Sequence, residues 1–452
     1  MLEKIQTSID FLTSYAEWLL LFFVIGGGLY LIVKSRGLPY RFFRHSLGIL
    51  SGKHDHPEDV GEVNHLQALS SAVAATVGMG NISGVAIAIF NGGPGVVFWM
   101  WLTALIGMCI KFYSCSLAVM FRQETAEGKF AGGPMYYIVQ GIGKKAKPLA
   151  VWFCIAGLVG VLPIFTVNQF TETFMSVIKP DKLLGISIFQ SRIVLGLVLS
   201  GATALVIFGG LKKIAAVSVK MVPSMVILYF VSAIIILGTH AQNILPSFGQ
   251  IFTEAFNFSS MVQGGFWGMV ILGVRRAVFS NESGVGTAPM FHGQSKAHLP
   301  VQEGLVAMLG PFIDTILVCT FTALIILTTG AHLDGEKNGI LMTLHAFDRS
   351  LGISGQVIMM ILVASFALST LFTYSYYGTK CLSFLRDKNS DTVYNLFYIG
   401  SITFAAIASV SLVVGLIDLA FALMCIPNMI AVVYLSPKVT EALKAYKVNT
   451  KI

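Results

Sequence analysis

Long apolar stretches recur along almost the whole sequence of 452 residues, and they limit what the chain can fold into. A helix of roughly 20 apolar residues crosses a hydrocarbon core about 30 Å thick. Because a segment inside lipid must pair its own backbone groups, each stretch is predicted to be a helix. With 55% hydrophobic and only 12% charged residues, the chain is predicted to be an all-α polytopic membrane protein surrounded by membrane lipid.

Eleven transmembrane helices are predicted, of which the shortest is the least apolar and the hardest to assign. The predicted spans are Trp18–Val33, Leu66–Phe90, Val96–Phe121, Leu149–Phe174, Arg192–Phe208, Ile214–Leu237, Gly264–Val278, Gly304–Thr329, Gly355–Gly378, Val393–Val414 and Leu416–Leu435.

The basic residues predict how the chain is oriented. With the N-terminus outside, 22 Lys and Arg side chains, including Arg275 and Arg276, are assigned to the cytoplasmic side and 6 to the external side, while Lys111 and Lys220 fall within spans. Lys and Arg concentrate in the cytoplasmic loops of membrane proteins. The sequence therefore predicts a protein of the bacterial inner membrane with a cytoplasmic C-terminus. This assignment accounts for the net charge of +8, and no nucleic-acid partner is expected.

The order of the helices indicates an internal repeat. After a peripheral N-terminal helix and a basic cytoplasmic loop (1–65), the remaining ten spans form two sets of five (66–240 and 241–437), followed by a cytoplasmic tail (438–452). An odd number of spans inverts the second set, and each set opens with a glycine-rich helix. This pattern is typical of a five-plus-five inverted repeat, in which the broken first helix of each half forms a site at the middle of the membrane.

The first helix of the first set is predicted to be unwound near its centre, where it reads AATVGMGNISG from Ala74 to Gly84. A break there leaves N–H groups at Met79 and Gly80 for an anionic carboxylate, and carbonyls at Ala74 and Val77 for a cation. Small residues that simply allow close helix packing are the alternative. The polar side chain of Asn81 favours a site, because packing does not require it.

Two other helices supply candidate side chains. The second set opens with QGGFWG, where Phe266 is a candidate lid over a bound side chain and Val270 follows one turn later; an interfacial aromatic belt is the alternative. Farther along, Ser369 and Thr370 place two hydroxyl groups midway along an apolar helix, with Tyr374 on the same face as Thr370. Hydroxyl oxygens suit sodium, although both groups can instead bond carbonyls of their own helix.

Acidic residues are absent from the predicted sites on these three helices, which favours sodium over the proton as coupling ion. Three acids, Glu172, Asp314 and Asp418, do lie in or near spans, where each could have a functional role or could simply lie at the membrane interface.

An enzyme is not expected, because the neighbouring His292 and His298 have no Cys or acidic ligand at a useful spacing in a predicted cytoplasmic loop. No cofactor is predicted. A channel has no need of broken helices and an occluding aromatic side chain.

Four motifs closely resemble the alanine/glycine:cation symporter family, also called sodium:alanine symporters. These are TVGMGNISG at Thr76–Gly84, GGPMYY at Gly132–Tyr137, GVRRAVFSNESGVGTAP at Gly273–Pro289 and GPFIDT at Gly310–Thr315. The resemblance implies a LeuT-type fold of the amino acid–polyamine–cation superfamily with one extra N-terminal helix. It also implies sodium-coupled uptake of a small neutral amino acid such as alanine or glycine by alternating access.

The resemblance further implies roles for individual residues. The sodium ligands it implies are Ala74, Val77, Ser369 and Thr370. Together with the residue-based candidates, the predicted substrate-binding residues are Thr76, Met79, Gly80, Asn81, Thr166, Asn168, Phe266, Val270, Thr370 and Tyr374.

Two departures from the family pattern bear on the substrate. Thr166 stands where the family usually has Gln, within the segment from Pro163 to Asn168, and Tyr374 stands where it usually has Trp. Both changes fall at positions that are expected to contact the substrate and to limit its size. A larger neutral amino acid such as glutamine or serine is therefore an alternative substrate, and proton coupling is an alternative mechanism.

Overall fold

The computed structural model describes residues 2–55, 59–124, 130–180, 185–257, 265–334, 339–386, 390–408 and 410–450. Most of these residues are helical, which confirms the predicted fold class. A short antiparallel pair joins β1 (Gln123–Glu124) to β2 (Phe130–Ala131).

The α-helices are numbered in chain order. They are α1 (Leu2–Leu21), α2 (Gly27–Ser35), α3 (Leu38–Arg41), α4 (Phe43–Leu50), α5 (His65–Thr76), α6 (Met79–Gly92), α7 (Val96–Met120), α8 (Pro134–Tyr137), α9 (Lys147–Gly160), α10 (Ile164–Ile178), α11 (Ile188–Ile207), α12 (Gly210–Thr239), α13 (Ile244–Ala255), α14 (Gly265–Asn281), α15 (Ala288–His292), α16 (Pro300–Ala307), α17 (Leu309–Pro311), α18 (Thr320–Thr329), α19 (Ile340–Leu351), α20 (Ile353–Arg386), α21 (Asp391–Ile407) and α22 (Val410–Thr450). Three π-helical segments (Phe22–Gly26, Ile138–Ile142 and Phe312–Cys319) and three 3-10 segments (Lys144–Ala146, Ala241–Asn243 and Ala331–Asp334) continue or connect them.

The number of helices is compatible with eleven spans. Within the described residues, nine helical stretches are long and apolar enough to cross a membrane. Helices α14 and α21 are shorter, with 17 residues each, and counting them as spans would give the predicted eleven. Gly264, the first residue of the predicted seventh span, lies outside the described residues.

One predicted boundary is wrong. The sequence suggested a connection at Gly415, between Val414 and Leu416, but α22 runs through this position from Val410. The preceding helix instead ends at Ile407. A single glycine costs a helix only about 1 kcal/mol relative to alanine, so packing against neighbouring helices holds the segment helical.

Burial separates the peripheral first helix from the central helix pair. In the most apolar 18 residues of the Leu12–Ser35 stretch, 28% of the residues are buried in the protein. In the corresponding part of His65–Gly92, the buried share is 94%. The pair α5 and α6 therefore forms the centre of the bundle. An Asn64 capping box with Gln67 begins α5, and it pairs the first backbone N–H groups of this helix.

Neighbouring helices surround the junction of α5 and α6. Helix α14 packs against α6 and α7, whereas α20 packs against α5 and α10. The first helix of each predicted half and the hydroxyl-bearing helix thus meet at the centre of the molecule.

Candidate functional site

The first helix break is short. Helix α5 ends at Thr76 and α6 begins at Met79, which leaves Val77 and Gly78 in extended conformations between them. Asn81 stabilises this break: its side-chain oxygen accepts from the Gly78 N–H at 3.0 Å, and its amide nitrogen donates to the backbone carbonyl of Asp314 at 2.8 Å. The predicted unwinding is therefore present, and in this conformation the side chain of Asn81 bonds protein groups.

Thr370 of α20 reaches the carbonyl end of α5. Its hydroxyl lies 3.5 Å from the carbonyl oxygens of both Ala74 and Ala75. Gly78 lies beside it so closely that an added Cβ would sit 2.6 Å from the Thr370 hydroxyl oxygen. The hydroxyl of Ser369, in contrast, donates to Phe366 of its own helix at 3.0 Å. Of the predicted sodium ligands, Ala74 and Thr370 are thus brought into contact.

A small cavity lies against this break. Its walls come from six helices, from the break itself and from the turn before α10. The lining residues are Ala75, Thr76, Gly78, Met79, Gly80, Leu162, Phe165, Thr166, Phe279, Thr370, Tyr374 and Ile417. Its volume of about 20 Å³ is enough for about one water molecule. The walls have to separate before an amino acid can enter, so this conformation is closed around the cavity.

Most of the predicted substrate residues line this cavity, and a few do not. Thr76, Met79, Gly80, Thr166, Thr370 and Tyr374 do so. Asn168 is fully buried outside the cavity lining and donates to the carbonyl of Ala408 at 2.7 Å.

The aromatic residue that α14 places at the cavity in this conformation is Phe279, which lines it together with Phe165 and Tyr374. The Phe279 ring packs edge-on against Phe165 with centroids 4.8 Å apart, and it lies beside Gly80, whose added Cβ would be 3.3 Å away. Phe266 lies thirteen residues earlier on the same helix, about 20 Å away along the axis. Its ring contacts Trp99 at 5.5 Å. Val270 is buried on the same helix outside the cavity lining, and lid roles for Phe266 and Val270 stay predictions.

The second helix break follows Phe279 and is longer. Helix α14 ends at Asn281 and α15 begins at Ala288, so six residues from Glu282 to Thr287 are non-helical. Gly284 and Gly286 adopt positive φ angles of 87° and 96°. The side chain of Asn428 donates to the carbonyl of Gly284 at 2.6 Å, and Asn281 accepts from the Ser283 N–H at 2.9 Å. Side chains therefore satisfy part of the backbone that this break releases.

Two acidic side chains from outside the three predicted helix segments lie close to the site. Asp314 is fully buried in the π-helical segment and accepts a hydrogen bond from Thr76 at 2.7 Å. Its other carboxylate oxygen has no hydrogen-bond partner among the described residues. Glu282 accepts from the Tyr374 hydroxyl at 2.5 Å. Neither acid lies on the three helix segments from which the site was predicted; the sequence left a functional position open for Asp314 and did not single out Glu282.

Two arginines of α14 that the charge distribution assigns to the cytoplasmic side form ion pairs with other helices, and their assignment to that side stays a prediction. Arg276 is fully buried, pairs with Asp418 of α22 and lies 5.1 Å from the Phe279 ring centre. Arg275 pairs with Glu17 of α1. Both arginines belong to α14, which continues to Asn281. Without them the predicted charge split is still 20 against 6.

One correction concerns His292. It lies in α15, where its Nδ1 is 2.5 Å from Glu303, and His65 at the start of α5 bonds the other oxygen of the same carboxylate. The acid that seemed to be missing thus comes from α16. Among the described residues, however, no group of three His, Cys, Asp or Glu side chains could hold a metal ion.

Solved structures with the same arrangement of helices define the class of protein. The chain superimposes on MhsT in complex with L-phenylalanine with a TM-score of 0.54, at 16% identity, over 85% of this chain and 99% of that one. It superimposes on the Eremococcus coleocola manganese transporter with a TM-score of 0.52, at 12% identity, over 86% and 80% of the two chains. The fold is therefore the LeuT-type fold of membrane transporters.

The sequence identifies the family within this class. The model of the sodium:alanine symporter family matches residues 2–452, so the chain belongs to that family. An uncharacterized transporter of Haemophilus influenzae is 35% identical over 100% of this chain and 97% of its own length. The sodium/alanine symporter AgcS of Methanococcus maripaludis is 34% identical, with 94% of each chain covered. The probable sodium/glutamine symporter GlnT of Bacillus subtilis is 32% identical, over 95% and 87%.

Proposed function

We propose that the chain imports a small neutral amino acid together with sodium by alternating access. The observation that carries this proposal is the meeting of the Thr370 hydroxyl with the carbonyls of Ala74 and Ala75 at the end of α5. A helix C-terminus presents unpaired carbonyls and partial negative charge. Carbonyl and hydroxyl oxygens together make a suitable environment for a hard monovalent cation.

The other side of the same break suits the substrate. The first N–H groups of α6, at Met79 and Gly80, have no carbonyl of their own helix to bond and line the cavity. A helix N-terminus of this kind favours a carboxylate. The remaining lining is apolar or hydroxylic, which suits a small uncharged side chain. We infer an amino acid of the alanine or glycine type, with serine or glutamine as the alternative suggested by Thr166 and Tyr374.

A larger cavity supports a release route on the predicted cytoplasmic side. It has a volume of about 300 Å³ and begins at Ser375, the residue after Tyr374, and extends to Glu62, Lys212 and Lys380. Both lysines belong to the set that the charge distribution assigns to the cytoplasm. We infer that opening between this cavity and the small one releases the substrate inward, with the N-terminus of the chain outside.

Proton coupling is a second candidate, and Asp314 favours it. A buried carboxylate with one unpartnered oxygen beside Thr76 is a suitable proton carrier. Sodium remains the leading candidate because the contact of Thr370 with Ala74 supplies oxygen atoms and no titratable group.

Uptake by purified protein in liposomes tests the proposal. Labelled alanine is offered with an inward sodium gradient, with an inward proton gradient, or with potassium alone on both sides. Accumulation above the external concentration with sodium supports the proposal, and accumulation with protons alone supports the second candidate. Absence of uptake for alanine, glycine, serine and glutamine under all conditions contradicts both.

A further inference from the structure

Glu282 is an unusual residue at the second helix break. It is 2% exposed, and its backbone has a φ of +53°, the left-handed region that non-glycine residues seldom occupy. Such a conformation is strained and persists only where the surroundings hold it. A buried acid in this conformation, one residue beyond α14, indicates that its side chain is needed at this position.

Both carboxylate oxygens of Glu282 bind hydroxyl groups. One oxygen accepts from the Tyr374 hydroxyl of α20 at 2.5 Å, and the other accepts from the hydroxyl of Thr287 at the end of the same break. Glu282 therefore joins the second break to α20.

Tyr374 is the residue through which this contact reaches the cavity. Its ring lines the small cavity, whereas Glu282 is not part of the lining. Thr370, one turn earlier on α20, lines the same cavity. The bond from the hydroxyl to Glu282 restricts rotation of the ring, so the ring presents a fixed wall to whatever occupies the cavity.

We propose that Glu282 is a positioning residue that sets substrate size by holding Tyr374 in the cavity wall. This proposal rests on the proposed function of the site as an amino acid transporter. When the bond is removed, the ring can turn away from the cavity, and room is gained for a longer side chain. Larger neutral amino acids should then compete better relative to alanine.

Two substitutions remove the contact from its two ends. Tyr374→Phe keeps the ring and deletes the hydroxyl, while Glu282→Gln keeps the shape and removes the charge and one acceptor. The matched control is Tyr229→Phe, because the Tyr229 hydroxyl is also fully buried and bonds Thr322 at 2.6 Å, away from the cavity.

The experiment is competition against labelled alanine in nanodiscs, with unlabelled alanine, serine and glutamine as competitors. In each single variant, we expect the half-inhibition concentration of glutamine to fall relative to that of alanine by about 5- to 10-fold. A change of this size is within the range by which pockets discriminate small differences in substrate size. The double variant should shift it no further than the larger single effect, because coupled residues are not additive. Tyr229→Phe should leave the ratio unchanged.

The measured ratios distinguish a positioning role of Glu282 from a structural one. Unchanged ratios in both single variants, with reduced thermal stability, would give Glu282 a merely structural role and overturn the proposal. Additive shifts in the double variant would also overturn it, since the two residues would then act separately. If the wild-type protein binds none of the three amino acids, the proposed function fails first, which separates the two failures.

Discussion

The two helix breaks at the centre of the molecule are built differently. The first consists of two uncharged residues, Val77 and Gly78, whereas the second runs over six residues from Glu282 to Thr287. Side chains from α14 and α22 bond backbone groups of the second break, namely those of Asn281 and Asn428. At the first break, Asn81 bonds the Gly78 N–H, whereas Met79 and Gly80 at the start of α6 line the cavity and the Ala74 carbonyl lies 3.5 Å from the Thr370 hydroxyl.

This difference suggests that the two broken helices of the inverted repeat have different roles. A break whose backbone groups are left available can bind ions and substrate. A break whose groups are satisfied by side chains is held in one shape and can support the wall of the site. The first break is therefore expected to respond to changes in ligand binding, and the second to changes in stability and substrate size.

The largest effect is expected from Gly78→Ala at the first break. The new Cβ would lie 2.6 Å from the Thr370 hydroxyl oxygen, so the hydroxyl has to move away from the Ala74 carbonyl. Sodium-driven uptake should fall by about 100-fold, the upper end of the cost of overpacking a tight site. Gly201→Ala in α11 is the control, because nothing lies within 4 Å of its added Cβ. Uptake that survives Gly78→Ala would remove the first break from the ion site.

A smaller effect is expected from Thr370→Val, which keeps the shape of the side chain and removes its oxygen. The sodium concentration for half-maximal uptake should rise by about 30-fold, within the range found when a group that supports a metal site is lost. Ser365→Ala on the same helix is the control, since that hydroxyl bonds only carbonyls of its own helix in this structure. If the sodium dependence of the Thr370 variant equals that of wild type, the ion site is wrongly assigned.

The second break should respond differently. Gly286 has a φ of +96°, and an added Cβ would lie 2.8 Å from Pro134 and 2.9 Å from Phe153. Gly286→Ala should therefore shift the folding equilibrium by about 5- to 30-fold towards the unfolded state, as 1–2 kcal/mol of strain does. Thermal unfolding in detergent measures this, with Gly400→Ala as control. The folded fraction should keep the sodium dependence of wild type; a changed dependence would contradict the division of tasks.

The smallest effect is expected from restoring the family residues in the cavity wall. Thr166 and Tyr374 line one cavity, so Thr166→Gln with Tyr374→Trp should fill space next to the substrate. Preference for alanine over glutamine should rise by about 10-fold, because a pocket discriminates by roughly 1–3 kcal/mol for each methylene of misfit. Competition of labelled alanine by alanine, serine and glutamine measures this. An unchanged rank order would show that these two positions do not set selectivity.

Local signals explain what was predictable from the sequence. Apolar length gave the spans, because the thickness of the bilayer dictates it. The glycines around Val77 indicated a break, because exposed backbone inside a membrane is tolerated only where it lines a cavity. Thr370 and Tyr374 were assigned to one face of a helix, because side chains four residues apart point the same way.

The identity of the groups that meet at the centre was decided by the tertiary structure. Thr76 and Asp314 are 238 residues apart in the chain, and Tyr374 and Glu282 are 92 apart. Helical periodicity shows which residues share a face, but it does not show which faces of distant helices pack together. The position of Phe279 at the cavity also depends on α14 remaining helical to Asn281 and packing against α6. The sequence determined where the chain crosses the membrane and where it first breaks, whereas helix packing decided which side chains surround that break.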